Sequence, residues 1–378
     1  MPPHPLSPFL QLYAVLTGII LCALLLNTLI NTLWGLRLEK STTLPIHALP
    51  KISLLIPFRN EAAIIAETIA NLQNLEYANL EILLLDDQSD DESLALAMSA
   101  SQPDRQIRIL QGETLPAGWL GKNWACWQLA SQASGDYLLF SDADVRWQCQ
   151  AIGQILALSQ GTRADLLSIY PTQICKSWAE RLTVPLIGQA LSAYLPVVIG
   201  AHHLPFASMS AAIGQCMFFR RQAYFQVGGH AAVKKQVIED IALARRIKQA
   251  GLRLRLAQAQ GWLTCRMYDG WASVHKGFAK NMLAGHGGIF PLLLSTLFHW
   301  GVFLVPWVWL MVGGGWQALG LVLAGVLTRA ISAYASQQRV WDAWTLPISV
   351  LIFSRIALTS FIWHLKGSGE WKGRILSN

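Results

Sequence analysis

The sequence predicts an α/β domain on a mostly parallel sheet, with transmembrane helices at the amino- and carboxyl-terminal ends of the chain. Three observations carry this. Hydrophobic residues make up 53% of the 378 positions and charged residues only 13%, with a mean hydropathy of +0.36, which is too apolar for an ordinary soluble domain. The excess lies at the two ends. Between them, short apolar runs alternate with segments of helical periodicity, joined by the short connections of right-handed βαβ units.

Net charge is +7, yet no long basic run is present. Basic residues cluster beside the apolar segments, at Arg37 and Lys40, at Lys276 and Lys280, and at Lys366, Lys372 and Arg374. Anionic headgroups attract such clusters, so a membrane is the expected partner and nucleic acid is not. The six cysteines show no Cys-x-x-Cys pair and no histidine at ligand spacing. That argues against a zinc site or a disulfide framework and fits a reducing, cytoplasmic face.

Residues 9–36 form an uncharged apolar stretch interrupted by Asn27 and Asn31. It is long enough to span a bilayer, and it lacks the preceding basic residues and cleavage site of a signal peptide. Arg37 and Lys40 follow it, placing the next domain in the cytoplasm. After a linker with Pro45 and Pro50, ISLLIPFRNEA (52–62) reads as a strand stopped by Pro57, and Ile64, Ile65, Ile69 and Leu72 then recur at helical spacing. A second strand in LEILLLDDQSDDES (80–93) ends on Asp86 and Asp87. Ser89 and Glu92 fit a capping box for the helix that follows, with Asp90 and Asp91 as acids of its first turn. A third strand near 107–110 leads to the loop of Gly118, Trp119, Gly121, Lys122 and Asn123 and a helix over 124–132.

The next strand reads YLLFSDAD (137–144). Two acids around one small residue suit a hard divalent cation shared with substrate phosphates, although acids after a strand also serve simply to cap turns. Beyond a strand near 166–174, residues 184–209 are weakly polar and broken by Pro185, Pro196 and Pro205, which predicts an interfacial helix or apolar lid beside a greasy acceptor. GQCMFFRRQAYFQVGGH (214–230) reads as strand, short helix and glycine turn. It precedes a helix over 238–251 that carries Asp240 in its first turn, where a helix-dipole role and a catalytic role are both open. A strand near 252–256 and an aromatic, basic helix over 266–282 come before apolar segments at 289–312, 316–335 and 344–365. Arg329 and Arg355 lie inside the last two, where a charge is costly unless it faces protein or snorkels. If all three span, the basic tail ends outside; a cytoplasmic tail, with one segment re-entrant or interfacial, is the expectation.

Together, IPFRNE (56–61), LLLDDQSDD (83–91), GWLGKNWA (118–125), SDAD (141–144), GQCMFFRR (214–221), GGH (228–230), ED with LARRIKQAG (239–251) and WKGR (371–374) resemble the family-2 inverting glycosyltransferases of the GT-A fold. Within that group the resemblance is to the integral-membrane branch that includes carotenoid, hopanoid-associated and ceramide glycosyltransferases. It implies that Pro57, Glu61 and Asp87 hold the nucleotide's base and ribose, with Lys122 near the nucleotide. Asp142 would contact the ribose or the metal, and Asp144 would ligate Mg²⁺ or Mn²⁺. Asp240 matches the family's base. Lys280 has two readings, a diphosphate contact and an interfacial lysine. The Gln-x-x-Arg-Trp motif of processive synthases is missing, since QQRVW (337–341) has the wrong spacing, so a single sugar is expected to move.

The implied organisation is a tail (1–8), a transmembrane anchor (9–36), a linker (37–49), a GT-A domain (50–285), membrane segments (286–366) and a basic tail (367–378). The implied donor is a nucleotide-diphosphate sugar, taken as a UDP-sugar, and the acceptor is a lipid hydroxyl, with a carotenoid favoured. The implied location is the bacterial inner membrane with the catalytic domain facing the cytoplasm. A polyprenyl-phosphate glycosyltransferase and a non-catalytic membrane scaffold or transporter with a relic domain are the competing readings.

Overall fold

The computed structural model describes residues 8–40, 49–101, 107–366, 370–371 and 374–375. Residues 1–7 of the amino-terminal tail, 41–48 of the linker with Pro45, and the basic tail with Lys372, apart from the short strands Glu370–Trp371 and Arg374–Ile375, lie outside these. The chain forms two compact units. One comprises Gly35–Ile174 and Val197–Met267; the other comprises Met1–Trp34, Cys175–Pro196 and Tyr268–Asn378.

The first unit carries the sheet. Its strands are β1 (Leu36–Arg37), β2 (Ile52–Phe58), β3 (Leu80–Asp86), β4 (Ile107–Gln111), β5 (Tyr137–Ser141), β6 (Val145–Trp147), β7 (Leu166–Tyr170), β8 (Thr172–Gln173), β9 (Cys216–Arg220), β10 (Leu254–Gln258) and β11 (Leu263–Cys265). Eight form one sheet in the order β1-β10-β7-β9-β5-β2-β3-β4, while β6, β11 and β8 form a small second sheet. In the large sheet β9 alone runs antiparallel to its neighbours. Both faces are buried, as crossover helices require. Leu54 and Ile56 of β2 and Ile82 and Leu84 of β3 point into one apolar cluster, whereas Leu55, Leu83 and Leu85 point into the other.

Two local expectations change. Pro57 does not stop β2, which runs through it to Phe58 opposite Asp86. The pairing of β2 with β5 has already ended at Leu55, so no ladder partner on that side misses the proline's N–H. The helix Ser93–Ala100 has no capping box, because Ser89 Oγ accepts instead from Asn60 N (3.0 Å) and Asp91 accepts from Ser93 N (3.0 Å). Ser89 thus ties the loops after β2 and β3 together and does not cap the helix.

The segment 184–209 is not one helix. Pro185–Gln189 is α-helical, Ala190–Tyr194 and Val197–Ala201 are π-helical turns, and Ala207–Met209 is a 3₁₀ turn. Residues up to Pro196 belong to one unit and those from Val197 to the other.

Among the described residues, the second unit has four helices long and apolar enough to cross a membrane: Pro8–Trp34, Ile289–Met311, Gly315–Ala335 and Val340–Lys366. Asn27 and Asn31, the polar interruptions of the first, have a structural task. Asn27 Nδ2 donates to the carbonyls of Ser192, Ala193 and Leu195 (2.9–3.2 Å), and Asn31 Nδ2 donates to those of Ser192 (2.8 Å) and Leu195 (2.7 Å). These carbonyls lie at and just past the end of the π-helical turn Ala190–Tyr194, where a helix's last carbonyls lack an intrahelical donor. Arg329 faces protein, buried with Nη1 3.4 Å from Gln189 Oε1. Arg355 is exposed, its guanidinium 5.6 Å from the centre of the Trp271 ring.

Candidate functional site

In a parallel sheet all the carboxyl ends of the strands lie on one rim, and ligands bind there. Here β5, β2 and β3 are consecutive in the sheet, so Asp142 and Asp144, the Pro57–Glu61 turn, and Asp87 come together in that order. Because β9 is antiparallel, its amino-terminal end meets the same rim. It delivers Gly214 and Gln215 beside β5.

At this rim Lys122, from the first turn of the helix Gly121–Gln132, places Nζ 2.8 Å from Asp142 Oδ1 and 3.0 Å from Glu239 Oε1. Burial would lower its pKa, but Asp142 and then Glu239 outweigh that and raise it well above the ordinary lysine value. Glu239 and Asp240 begin the helix Glu239–Gln249. Asp240 Oδ2 accepts from Gly214 N (2.8 Å), and Oδ1 from Ile241 N (2.7 Å). Burial, and then the Glu239 charge, push the Asp240 carboxyl up to about 7, with Lys122 and the two N–H donors opposing. Its helix-dipole role and its place in the cluster therefore coexist. A carboxyl poised near neutrality beside a lysine and two other acids is a candidate proton acceptor.

Asp144 is pushed up to about 7 by burial and then by Asp142, with Glu61 adding to the repulsion. Its Oδ1 is buried without a hydrogen-bond partner. An orphaned carboxylate oxygen next to a second carboxylate is a poor turn cap and a good cation ligand, so Asp142 and Asp144 fit a divalent metal. Among the described residues, no group of three or more His, Cys, Asp or Glu side chains is arranged to hold a metal.

The residues that the resemblance assigns to the nucleotide lie in loops laced together. Arg59 Nη1 donates to Asp87 O (2.7 Å) and to Gln88 O, and its Nη2 pairs with Asp90 at 2.6 Å. Glu61 N donates to Ser93 Oγ (2.7 Å), and Asp87 N to Phe58 O (2.8 Å). Asn60 and Gln88 both adopt positive φ, at 52° and 56°, at sharp turns just after the ends of β2 and β3. Asp90 is thus an anchor for Arg59, not a helix-start acid. Pro57, Glu61, Asp87, Lys122, Asp142, Asp144 and Asp240 all belong to the sheet-bearing unit, whereas Lys280 lies on the helix Trp271–His286 of the other.

Glu239, Gly214, Gln215 and Cys265 were not legible as site residues. Glu239, Gly214 and Gln215 lie in stretches that carry the resemblance, but their own roles depend on the antiparallel course of β9 and on the reach of Lys122. Cys265 reads as a stray thiol because its relation to Asp144 depends on the small second sheet.

The sequence profile of glycosyl transferase family 21 matches residues 15–377. A 4,4'-diaponeurosporenoate glycosyltransferase of Staphylococcus aureus (strain MRSA252) is 23% identical over 351 residues, covering 85% of this chain and 87% of that one. A protein of the same name from Staphylococcus haemolyticus (strain JCSC1435) is 26% identical over 263 residues, 66% of each chain. Among solved structures, a mannosyltransferase from Pyrobaculum calidifontis in complex with GDP-Man and Mn²⁺ has a TM-score of 0.57 at 16% identity, covering 94% of this chain and 99% of that one. That likeness is one of fold, and the mostly parallel sheet with its antiparallel β9 is of the GT-A type.

Proposed function

The chain belongs to glycosyl transferase family 21, and from that premise we propose that it is a membrane-bound, inverting glycosyltransferase moving one sugar from a nucleotide-diphosphate donor to a hydroxyl of a carotenoid-like lipid. The observation that carries this reading is the single cluster at the sheet rim: Asp240 with a pKa near 7, held 2.8 Å from Gly214 N, beside the Lys122–Glu239–Asp142 ion pairs and the orphaned oxygen of Asp144.

Asp240 acts as general base. Its ionised carboxylate takes the proton of the acceptor hydroxyl as that oxygen bonds to the anomeric carbon from the face opposite the leaving group. The bond from that carbon to the diphosphate breaks, the nucleoside diphosphate departs, and the configuration inverts. Base assistance of this kind contributes typically 10² to 10⁴ in rate. The backbone donors Gly214 N and Ile241 N hold both carboxylate oxygens in place. Asp144, with Asp142, would hold Mg²⁺ or Mn²⁺, which supplies Lewis-acid stabilisation of the diphosphate's growing charge. Lys122 contributes a positive charge to the same region. Pro57, Glu61 and Asp87 line the nucleotide side, and Lys280 is a further diphosphate contact or an interfacial lysine.

The four long apolar helices support attachment to a membrane, and Arg37 and Lys40 after the first support a cytoplasmic catalytic face. The lack of a Gln-x-x-Arg-Trp motif supports single transfer. The names of the relatives favour a second reading, because diaponeurosporenoate is written as a carboxylate. A carboxylate acceptor is already ionised at neutral pH and needs no base.

The test uses purified protein, a panel of UDP- and GDP-sugars with Mn²⁺, and matched carotenoid alcohols and carboxylic acids, with products identified by mass spectrometry. On an alcohol, Asp240→Asn is expected to lose about 10² to 10⁴ in kcat while still binding nucleoside diphosphate. Near-normal turnover on an alcohol would remove Asp240 as base, and transfer to the acid alone would establish the carboxylate reading.

A further inference from the structure

Behind Asp144 lies a row of side chains that the reaction described above does not use. Gln173 Nε2 donates to Gln215 Oε1 at 2.9 Å, and Gln215 Nε2 donates to Cys265 Sγ at 2.9 Å. With its sulfur accepting from Gln215, the Cys265 thiol is left to turn its own hydrogen toward Asp144, the residue before its strand partner Val145, and it works against the rise in the Asp144 pKa. The donors run in one direction, Gln173 to Gln215 to Cys265 to Asp144. Gln173 and Gln215 are each 4% exposed and Cys265 is fully buried.

The scaffold of this row is the small sheet. In β11, Cys265 stands opposite Val145 of β6, the residue after Asp144, and beside Gln173 of β8. Gln215 enters from the start of β9, next to Gly214, which holds Asp240. The small sheet therefore adds a rigid backing to the two acids that the large sheet delivers. Buried polar side chains are costly unless each finds a partner. At the site end of this row Asp144 Oδ1 is buried without a hydrogen-bond partner.

We propose that Cys265, oriented by Gln215 and Gln173, is a positioning residue that fixes the Asp144 carboxylate so that Oδ1 is presented to the divalent cation. The inference rests on the reading of Asp144 as a metal ligand. Groups that hold a ligand from behind typically change metal affinity about 10- to 100-fold when removed. A thiol suits the place because it is small, tolerates burial, and still offers one weak donor.

The experiment measures Mn²⁺ binding to the purified full-length protein with UDP present, from the loss of the free Mn²⁺ electron-paramagnetic signal, with thermal unfolding recorded alongside. Cys265→Ala is expected to weaken Mn²⁺ binding about 10- to 100-fold with little change in the unfolding midpoint, whereas Cys265→Ser, which keeps a donor, stays within about threefold of the wild type. Gln215→Met, which removes the donor to the sulfur, gives a loss in the same direction and serves if Cys265→Ala does not fold. Unchanged affinity in Cys265→Ala, or equal losses in the alanine and serine variants, would overturn the proposal while leaving Asp144 as ligand. No Mn²⁺ binding by the wild type would sink the metal reading and this inference together.

Discussion

Lys122 and Glu239 form an ion pair of 3.0 Å across the site, and the two affect the Asp240 carboxyl in opposite senses. Glu239 raises its pKa and Lys122 lowers it. A base must be ionised to accept a proton, so turnover on an alcohol is expected to rise with pH through about 7, the value at Asp240. Glu239→Gln removes a negative neighbour and shifts that acid limb to lower pH. Lys122→Met removes the opposing positive charge and shifts it higher. Shifts of the same sign in the two variants, read from kcat–pH profiles, would contradict this electrostatic arrangement.

At Gly214 the backbone passes close to the cluster. A Cβ there would stand 3.2 Å from Lys122 Nζ and 3.4 Å from both Asp240 Oδ2 and Glu239 Oε1. These are the ends of side chains, which can move aside, so Gly214→Ala is expected to cost no more than about 1–3 kcal/mol of stability. Displacing Lys122 and Asp240 should nevertheless reduce kcat at least about tenfold, since small misplacements of reacting groups are expensive. Normal kcat in a stably folded Gly214→Ala would show that the close approach has no catalytic consequence.

Asn27 and Asn31 make a separate prediction in the helical unit. Each donates to carbonyls near Ser192–Leu195. Replacing either by leucine keeps the helix apolar and strands acceptors that lipid cannot satisfy. A loss of about 0.6–2 kcal/mol per site is expected, visible as a lower unfolding midpoint in detergent or nanodiscs. A midpoint unchanged in the double variant would mean that those carbonyls find other donors.

His230 links stability to pH. It is buried against Phe140, with Nδ1 2.8 Å from Tyr224 OH, and burial, then Lys122, lowers its pKa to about 3. The folded form keeps the ring neutral, while the unfolded chain takes a proton near the ordinary imidazole value of 6.5. Its contribution is therefore present above about 6.5 and is lost as pH falls from there toward about 3. His230→Gln should flatten the decline of the unfolding midpoint over that window. An identical slope in wild type and variant would assign the acid sensitivity elsewhere.

Sequence patterning reached the strand ends and the apolar helices because both are local. A run such as YLLFSDAD states its own burial and where its acids emerge, and an uncharged stretch like 9–36 states its own solvent. The same local logic failed at Ser89, whose match to a capping box was outweighed by the N–H of Asn60, about thirty residues away and brought close only by the pairing of β2 with β3.

What the sequence by itself determined is the class of fold, the rim where Asp87, Asp142 and Asp144 meet, and the stretches apolar enough to cross a membrane. Tertiary structure alone decided which groups face them. The antiparallel course of β9 brought Gly214 to Asp240, the helix starting at Gly121 brought Lys122 between Asp142 and Glu239, and the small sheet set Cys265 behind Asp144. Each of these joins residues far apart in the chain, and a hydrogen bond or ion pair depends on distance in space, which no local periodicity records.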